Sequence, residues 1–393
     1  MARVGKRRVV RNVVSGPRQP EKVTVALTVG ANRWLREEAR ARGWRLVNIQ
    51  YHDNRLPSGI VPHGALVGLL PDHELVQGWR RAGIPVVRLG SLPHPDDALV
   101  PAVLPDQEAE GCLAADHFHE RGFHDVGYVG NDPWSDHLVL FDEFRARAEA
   151  LGMVCHLTRF RHIDGESRED KKARQEREFA DWLRTSPKPL GLLVSGVARA
   201  VTQCSWADLA GFRIPEDVAV LSIGNVLEVC ESTIPTISTV ERDHAGLMRS
   251  ACSLLARMMA GEPVPREPAM IAPLEVVERE STNVLATTDA VVAATLRYMQ
   301  NHLQQDLSVE MLADKVGLSG RQLVRRFQKA LHRSVTDELL RQRLEEAKHL
   351  LRSTDIRIIA IAAKVGFHST VYLHRTFRRA FGQTPEEYRH ARL

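Results

Sequence analysis

The side chains with the clearest chemical purpose in this chain are guanidinium groups set at helical spacing near its end. SGRQLVRRF carries Arg321 and Arg325, and STVYLHRTFRRAF carries Arg375, Arg378 and Arg379. A guanidinium presents paired N–H donors that fit the O6 and N7 acceptors of guanine, or two oxygens of a phosphate. The chemistry on offer is recognition of a polyanion. Short helices would hold these groups. In the later segment Leu373, Phe377 and Phe381 recur every four residues and define a buried face, which leaves Thr370, Val371, His374, Arg375 and Arg378 outside it. Upstream, Ile358, Ile359, Ile361 and Ala362 are expected to form the apolar side of a partner helix. Gly366 then stands where a turn needs a left-handed residue, and Ser369 is placed to cap the second helix. Two short helices, a glycine turn and a basic outer face make a helix-turn-helix.

The pattern occurs once before. In VEMLADKVGLSGRQLVRRF, Ala313 leads to Gly317, Ser319 is the candidate cap, and Leu323 and Phe327 are the buried pair. Gly317 and Gly366 lie 49 positions apart and Phe327 and Phe377 lie 50 apart, so the second copy has one more residue in its turn. Between the copies Val335–Leu351 has apolar residues at helical spacing and neither Gly nor Pro. It is expected to be a helix that holds two reading heads apart, as successive major grooves about 34 Å apart require.

These residues resemble the AraC/XylS-type DNA-binding domain over Asp289–Leu393. The most specific matches are LADKVGLSGRQLVRRF, RLEEAKHLL and IAAKVGFHSTVYLHRTFRRAFGQTPEEYR. One departure is His332, where a Gly is usual. The resemblance implies that Arg321, Gln322, Val324 and Arg325 face base edges in the first copy, and Thr370, Val371, His374 and Arg375 in the second. Val371 suits a thymine methyl, while Arg326, Arg378 and Arg379 are better placed for phosphate.

The 393 residues favour two or three domains. Net charge is only +4, but it is unevenly spread. From Ala290 onward there are 18 Lys/Arg against 10 Asp/Glu, and before it 35 against 39. The positive excess thus sits on the part argued to meet DNA. Residues 1–22 read as a basic disordered tail, with Val9, Val10, Val13 and Val14 interrupted by Arg11 and Asn12, so the apolar core of a signal peptide is absent. Five scattered Cys without a CxxC suit reduced thiols in a cytoplasm, and no apolar run approaches the length of a membrane span. GxSxG, HExxH, GxxxxGK[ST] and GxGxxG are all missing. His117 and His119, two apart on an expected helix, point away from each other, and a solvated helix with Phe118 packed is the reading there. No catalytic residue, metal site or cofactor is expected.

From Val23 strands and helices alternate. Strands are expected at Val23–Val29, Trp44–Ile49, Gly64–Leu70, Val86–Leu89, Val126–Val129, Val154–Leu157, Leu190–Ser195 and Val218–Ile223. Helices are expected at Asn32–Arg42, Asp72–Ala82, Gln107–Arg121, Asp136–Leu151, Lys171–Thr185, Ala198–Ala210 and Arg242–Ala260, with extended segments at Met270–Glu278. Such alternation implies parallel sheets covered on both faces, in two lobes. Asp106, Asp116-His117-Phe118, Gly122-Phe123, Val126–Val129, FRIPEDVAV and a turn at Thr236–Thr239 resemble a LacI-type effector module, itself similar to periplasmic sugar-binding proteins, over Val23–Glu280. The usual headpiece is missing from its front. The resemblance implies a ligand between lobes, at the carboxyl ends of the strands. Gly196 and Gly224 stand where the family usually has Asp, and Leu140 where a ligand-pairing Arg is expected. Asn32, Ser91, Asp132, Trp134, Ser135 and Asn225 are the candidate ligand-binding residues that remain, with Trp134 the aromatic one.

The expected fold is a two-lobed α/β periplasmic-binding-protein-like effector domain (23–280), a linker (281–289) and an all-α domain with two helix-turn-helix motifs (290–393). The expected function is a cytoplasmic, ligand-responsive transcription regulator of sugar (xylose-like) metabolism genes. It would act as a homodimer on double-stranded promoter DNA, with RNA polymerase as a further partner and no membrane. The alternative is a regulator whose effector-like domain has lost sugar binding and serves dimerisation or a non-sugar ligand.

Overall fold

The computed structural model describes residues 23–28, 32–49, 56, 60–68, 73–90, 100–130, 138–160, 163–265, 267–284, 286, 287, 289–331 and 333–390. The basic tail, His332, Ser91, Asp132, Trp134 and Ser135 lie outside the described residues. Two compact units result, one from residues up to 104 with 244–271, the other from 105–243 with 272–393.

The first unit holds β1 (Thr24–Leu27), α1 (Arg33–Ala41), β2 (Arg45–Asn48), β3 (Gly64–Val67), α2 (His73–Arg81), β4 (Val86–Leu89) and β5 (Ala102–Pro105). Its sheet runs β11-β5-β4-β3-β1-β2, where β11 is Ala269–Ile271. The pairs from β2 through β5 are parallel. Val25, Ala26, Leu27, Leu66 and Val87 are fully buried, as a sheet covered on both faces demands. The helix α8 (His244–Met259) lays Leu247, Ala251, Cys252 and Leu255 on that sheet.

The second unit repeats the winding. It holds α3 (Gln107–Glu120), β6 (Asp125–Gly130), α4 (Leu138–Ala150), β7 (Val154–Arg159), α5 (Arg168–Thr185), β8 (Leu190–Val194), α6 (Val197–Leu209), β9 (Val218–Ile223), α7 (Leu227–Ser232), β10 (Ser238–Arg242) and β12 (Pro273–Val277). Its sheet runs β12-β10-β9-β8-β6-β7, parallel except for the antiparallel β10–β12 pair. Two strand glycines make room for aromatic rings. A Cβ on Gly191 would lie 2.6 Å from Phe118, and one on Gly127 would lie 2.8 Å from Trp182. Helices α3 and α5 therefore seat against the sheet through Phe118 and Trp182.

Several expectations need correcting. The strand β5 was not expected, and it is only four residues long and ends in Pro105. Ser238–Arg242 is a strand where a turn was read at Thr236–Thr239, so the long helix starts at His244 and Arg242 belongs to the sheet. Arg242 there forms a two-pronged ion pair with buried Glu110, at 2.5 and 2.9 Å. The helix α3 is not a solvated one, because Gln107, Glu110, Gly111, Ala114, Ala115, His117 and Phe118 are all buried. Leu140, at the position of an expected Arg in the resemblance, is a fully buried core residue.

All five cysteines are unpaired thiols. Burial pushes Cys155 and Cys204 up to about 12 and Cys252 up to about 11, so they pack as protonated apolar groups.

The chain then passes through a 3-10 turn at Glu280–Thr282 into seven helices: α9 (Ala290–Asn301), α10 (Val309–Lys315), α11 (Gly320–Leu331), α12 (Val335–Ser353), α13 (Ile358–Lys364), α14 (Thr370–Phe381) and α15 (Pro385–His390). The segment expected as a linker is held to the second sheet. Ser281 and Thr282 are fully buried, the Ser281 hydroxyl donates to the Val220 carbonyl at 2.6 Å, and Ala286 N–H donates to the Arg121 carbonyl at 2.8 Å.

Candidate nucleic-acid interface

Each reading module is a pair of short helices around its own core. In the first, Leu312 and Ala313 of α10 pack with Leu323 and Phe327 of α11, and with Val335 and Leu339 from the start of α12. In the second, Ile361 and Ala362 of α13 pack with Leu373 and Phe377 of α14, and with Leu344, Ala347 and Leu351 of α12. Burying a Phe of this kind stabilises by roughly 1.5–3 kcal/mol. Gly317 and Gly366 take the left-handed conformation at φ 69° and 81°. The first turn spans residues 316–319 and the second 365–369, which is the extra residue read from the sequence.

Local caps differ between the copies. Ser319 and Gln322 form a reciprocal capping box: Ser319 N–H donates to Gln322 Oε1 at 2.9 Å, and Gln322 N–H donates to Ser319 Oγ at 3.4 Å. Ser369 occupies the cap position of α14, but its side chain makes no cap hydrogen bond. Phe381 is only half-buried, and Ile359, expected on the apolar side of α13, is 65% exposed.

The exposed side of α11 carries Arg321, Val324 and Arg325. Arg321 and Arg325 are one helical turn apart and share a face, and neither makes an ion pair among the described residues. Gln322 is exposed, with its amide oxygen engaged by Ser319. Arg326 points aside and pairs with Asp289, the cap of α9, at 2.8 Å. On α14, Val371 (79% exposed), Arg375 and Arg378 share the outer face. Thr370 is half-exposed at the first turn. His374 leans toward α15 with Nε2 3.3 Å from Glu386, and the Arg375 guanidinium stacks 5.5 Å above the Tyr372 ring. The structure thus groups Arg321, Val324 and Arg325 on one helix and Val371, Arg375 and Arg378 on the other. It sets Gln322 and His374 to local contacts. Tyr372, 42% exposed beside them, was missed by sequence reasoning, and its only signal is an aromatic off the buried stripe.

A joint of charged groups fastens the reading helices to the second sheet, and sequence reasoning missed it. Arg121, at the end of α3, is ion-paired with Glu278, just past β12. Arg341 of α12 lies 3.8 Å from the same carboxylate and 3.0 Å from Glu338. Glu338 is fully buried and also takes Arg333 at 3.1 Å and the Gln342 amide at 3.0 Å. Lys348 pairs with Glu275 of β12 at 3.2 Å, and the Tyr388 hydroxyl donates to Glu275 at 3.3 Å.

His117 is buried behind this joint, with Nε2 3.0 Å from the Thr282 hydroxyl. Burial, followed by the positive fields of Arg121, Arg341 and Lys348, holds it well below 6.5. Its folded form refuses a proton that the unfolded chain accepts near 6.5. Its contribution to stability is therefore intact above that pH and is lost as pH falls below it. Chemical unfolding at pH 5.5 and 7.5 is expected to show lower stability at 5.5, with a smaller difference in His117→Gln.

Of the candidate effector residues, Asn32 and Asn225 lie among the described residues, each with local partners in its own unit. Asn32 caps α1, its Oδ1 accepting from Leu35 N–H at 2.9 Å. Asn225, just past β9, accepts from Arg279 at 2.9 Å and donates to Glu241 at 3.3 Å. At the end of β8, Ser195 accepts from Arg199 at 3.1 Å. Among the described residues no cluster of His, Cys, Asp and Glu is arranged to hold a metal, and no helix is long and apolar enough to cross a membrane.

Two family models match the chain: a periplasmic binding protein-like domain over residues 115–282 and a helix-turn-helix domain over 312–391. The regulatory protein SoxS of Escherichia coli (strain K12) is 33% identical over 100 residues, which cover 94% of SoxS and 25% of this chain. The chain belongs to the AraC/XylS family of transcription regulators. The xylose operon regulatory protein of the same organism is 25% identical over 326 residues, 81% of each chain. A solved structure described as the xylose-binding transcription activator xylR shares the fold, with a TM-score of 0.58 and 23% identity over 95% of this chain and 99% of that one. This AraC/XylS-family member is thus a DNA-binding regulator with a LacI-like α/β part in front, and its relatives regulate transcription rather than catalyse.

Proposed function

We infer that this regulator reads two successive major grooves with α11 and α14, and that a small molecule bound by its α/β part controls the reading. The observation that carries the first half is the repeated face: each helix buries a Leu/Phe pair and turns arginines outward. Arg321, Arg325 and Arg375 are assigned to base edges with Gln322, Val324, Thr370, Val371 and His374 around them, and Arg378 to phosphate. Arg325→Ala is expected to weaken binding to a selected operator by about 1–3 kcal/mol and relax preference at one base pair, measured by fluorescence anisotropy. Equal losses on operator and random duplex would assign Arg325 to the backbone instead.

The effector is a sugar in this reading, supported by relatives whose names refer to xylose. The protein works as a cytoplasmic homodimer at a promoter, beside RNA polymerase. Domain limits of 23–280 and 290–393 go with this reading. Ligand closure would act through differential affinity for two poses of the reading helices. A thermal-shift panel of pentoses, hexoses and sugar acids tests it. At a hundredfold excess over Kd a true effector adds about 2.7 kcal/mol, a rise of several degrees.

A second reading keeps the α/β part as a scaffold for dimerisation or for a non-sugar ligand. Its support is Asn225, already engaged by Arg279 and Glu241, together with glycines at 196 and 224, the positions where the resemblance leads one to expect Asp. A flat response across the sugar panel favours this second reading.

A further inference from the structure

We propose that Arg343 is a positioning residue that fixes the spacing between the two reading helices. It rests on the reading of α11 and α14 as two base-reading elements.

The α12 rod does not by itself define how the modules face each other. Its first turns belong to one core through Val335 and Leu339, and its later turns to the other through Leu344, Ala347 and Leu351. A rod packed into a different core at each end passes any bending or torsion of its middle turns on to the angle between the modules. Arg343 sits between the two stretches. Its Nε donates to the Leu303 carbonyl at 3.1 Å and its Nη2 to the Gln305 carbonyl at 2.7 Å. Leu303 and Gln305 lie in the segment between α9 and α10, hence in the first module.

The second module closes on the same point. Gly366, in the turn between α13 and α14, lies so near the Leu303 carbonyl that an added Cβ would collide with that oxygen, and would lie 2.8 Å from the Arg343 guanidinium. Three stretches of chain therefore meet at one guanidinium: the α9–α10 segment, the middle of α12 and the α13–α14 turn. This contact lies off the axis of α12, so it braces the two modules against bending and torsion of the rod. Arg343 is half-buried, and the partial exclusion of water strengthens its hydrogen bonds to the two carbonyls. Each module keeps its apolar core without Arg343, so its contribution is to geometry between modules.

The test uses full-length protein and a duplex selected from a random pool by the wild type. Affinity is measured on that duplex, on versions with one to three base pairs inserted or deleted between half-sites, and on a duplex retaining one half-site. Wild type is expected to show a steep optimum in spacing. Arg343→Ala and Arg343→Met, which keeps the aliphatic stem, are expected to flatten that optimum by roughly tenfold in relative affinity, with half-site affinity unchanged. Arg343→Lys, still a donor to one carbonyl, is expected to restore part of it. Two outcomes overturn the proposal alone: a steep wild-type profile that both variants leave steep, or equal loss on full and half-sites. A wild-type profile flat in spacing overturns the two-groove reading and the proposal with it.

Discussion

Glu278→Ala is expected to destabilise the second unit by about 3–5 kcal/mol, the loss that follows when one member of a buried ion pair is removed and the other stays behind. Arg121 and Glu278 keep only 7% and 11% of their side-chain surface exposed, so solvent does little to replace the lost carboxylate. Arg341 loses its 3.8 Å partner at the same time. Glu275→Ala is the control. Its carboxylate is 31% exposed, and Lys348, itself 13% exposed, keeps Glu345 at 3.8 Å, so the loss is expected to be smaller, about 1–2 kcal/mol. Urea unfolding of the two variants, followed by far-ultraviolet circular dichroism, compares them directly. Similar midpoints for both would mean that the Arg121 charge reaches water or another acceptor when Glu278 goes.

The second large effect separates two glycines that look equivalent in the repeat. Gly317→Ala meets nothing within 4 Å of the new Cβ and suffers only the left-handed backbone penalty, about 1–2 kcal/mol. Gly366→Ala carries the same penalty at φ 81° and drives its Cβ into the Leu303 carbonyl. Relief needs backbone movement, which adds about 1–3 kcal/mol. Thermal unfolding is expected to place Gly366→Ala well below Gly317→Ala. Equal melting temperatures would show that the α9–α10 segment yields freely.

The reading helices were legible because their signals are local. Leu323 with Phe327, and Leu373 with Phe377, recur at four residues, and the glycine turns follow at fixed offsets. The winding of the α/β part was legible where strands are buried on both faces and read as unbroken apolar runs, as at Val218–Ile223. What failed depends on distant partners. The strands β5 and β10 owe their identity to neighbours in the sheet, and Pro105 and the threonines near 236–239 look like loop. Glu338, Arg341 and Lys348 sit at spacings that suit a solvated helix face, and only the arrival of Glu278 and Glu275 turns that face into a joint. Ile359 erred the other way: its type suggests burial, while its place on α13 leaves it in solvent. Of the candidate effector residues, the sequence could place Asn32 and Asn225 near strand ends, where a turn or cap role competes with ligand binding; Asn32 does cap a helix, while the hold of Arg279 on Asn225 comes from a partner 54 residues away that no local signal shows.

The seat under α12 also limits how this regulator can be taken apart. Glu275 and Glu278 belong to β12 and the residue just past it, outside residues 290–393. A chimera that grafts the terminal hundred residues onto a foreign sensor would inherit Arg341 and Lys348 without the acids that anchor them. Moving the crossover upstream of Pro273 carries both acids along with Arg341 and Lys348 but leaves behind Arg121, the ion-pair partner of Glu278, so a graft that keeps the whole joint must begin before α3.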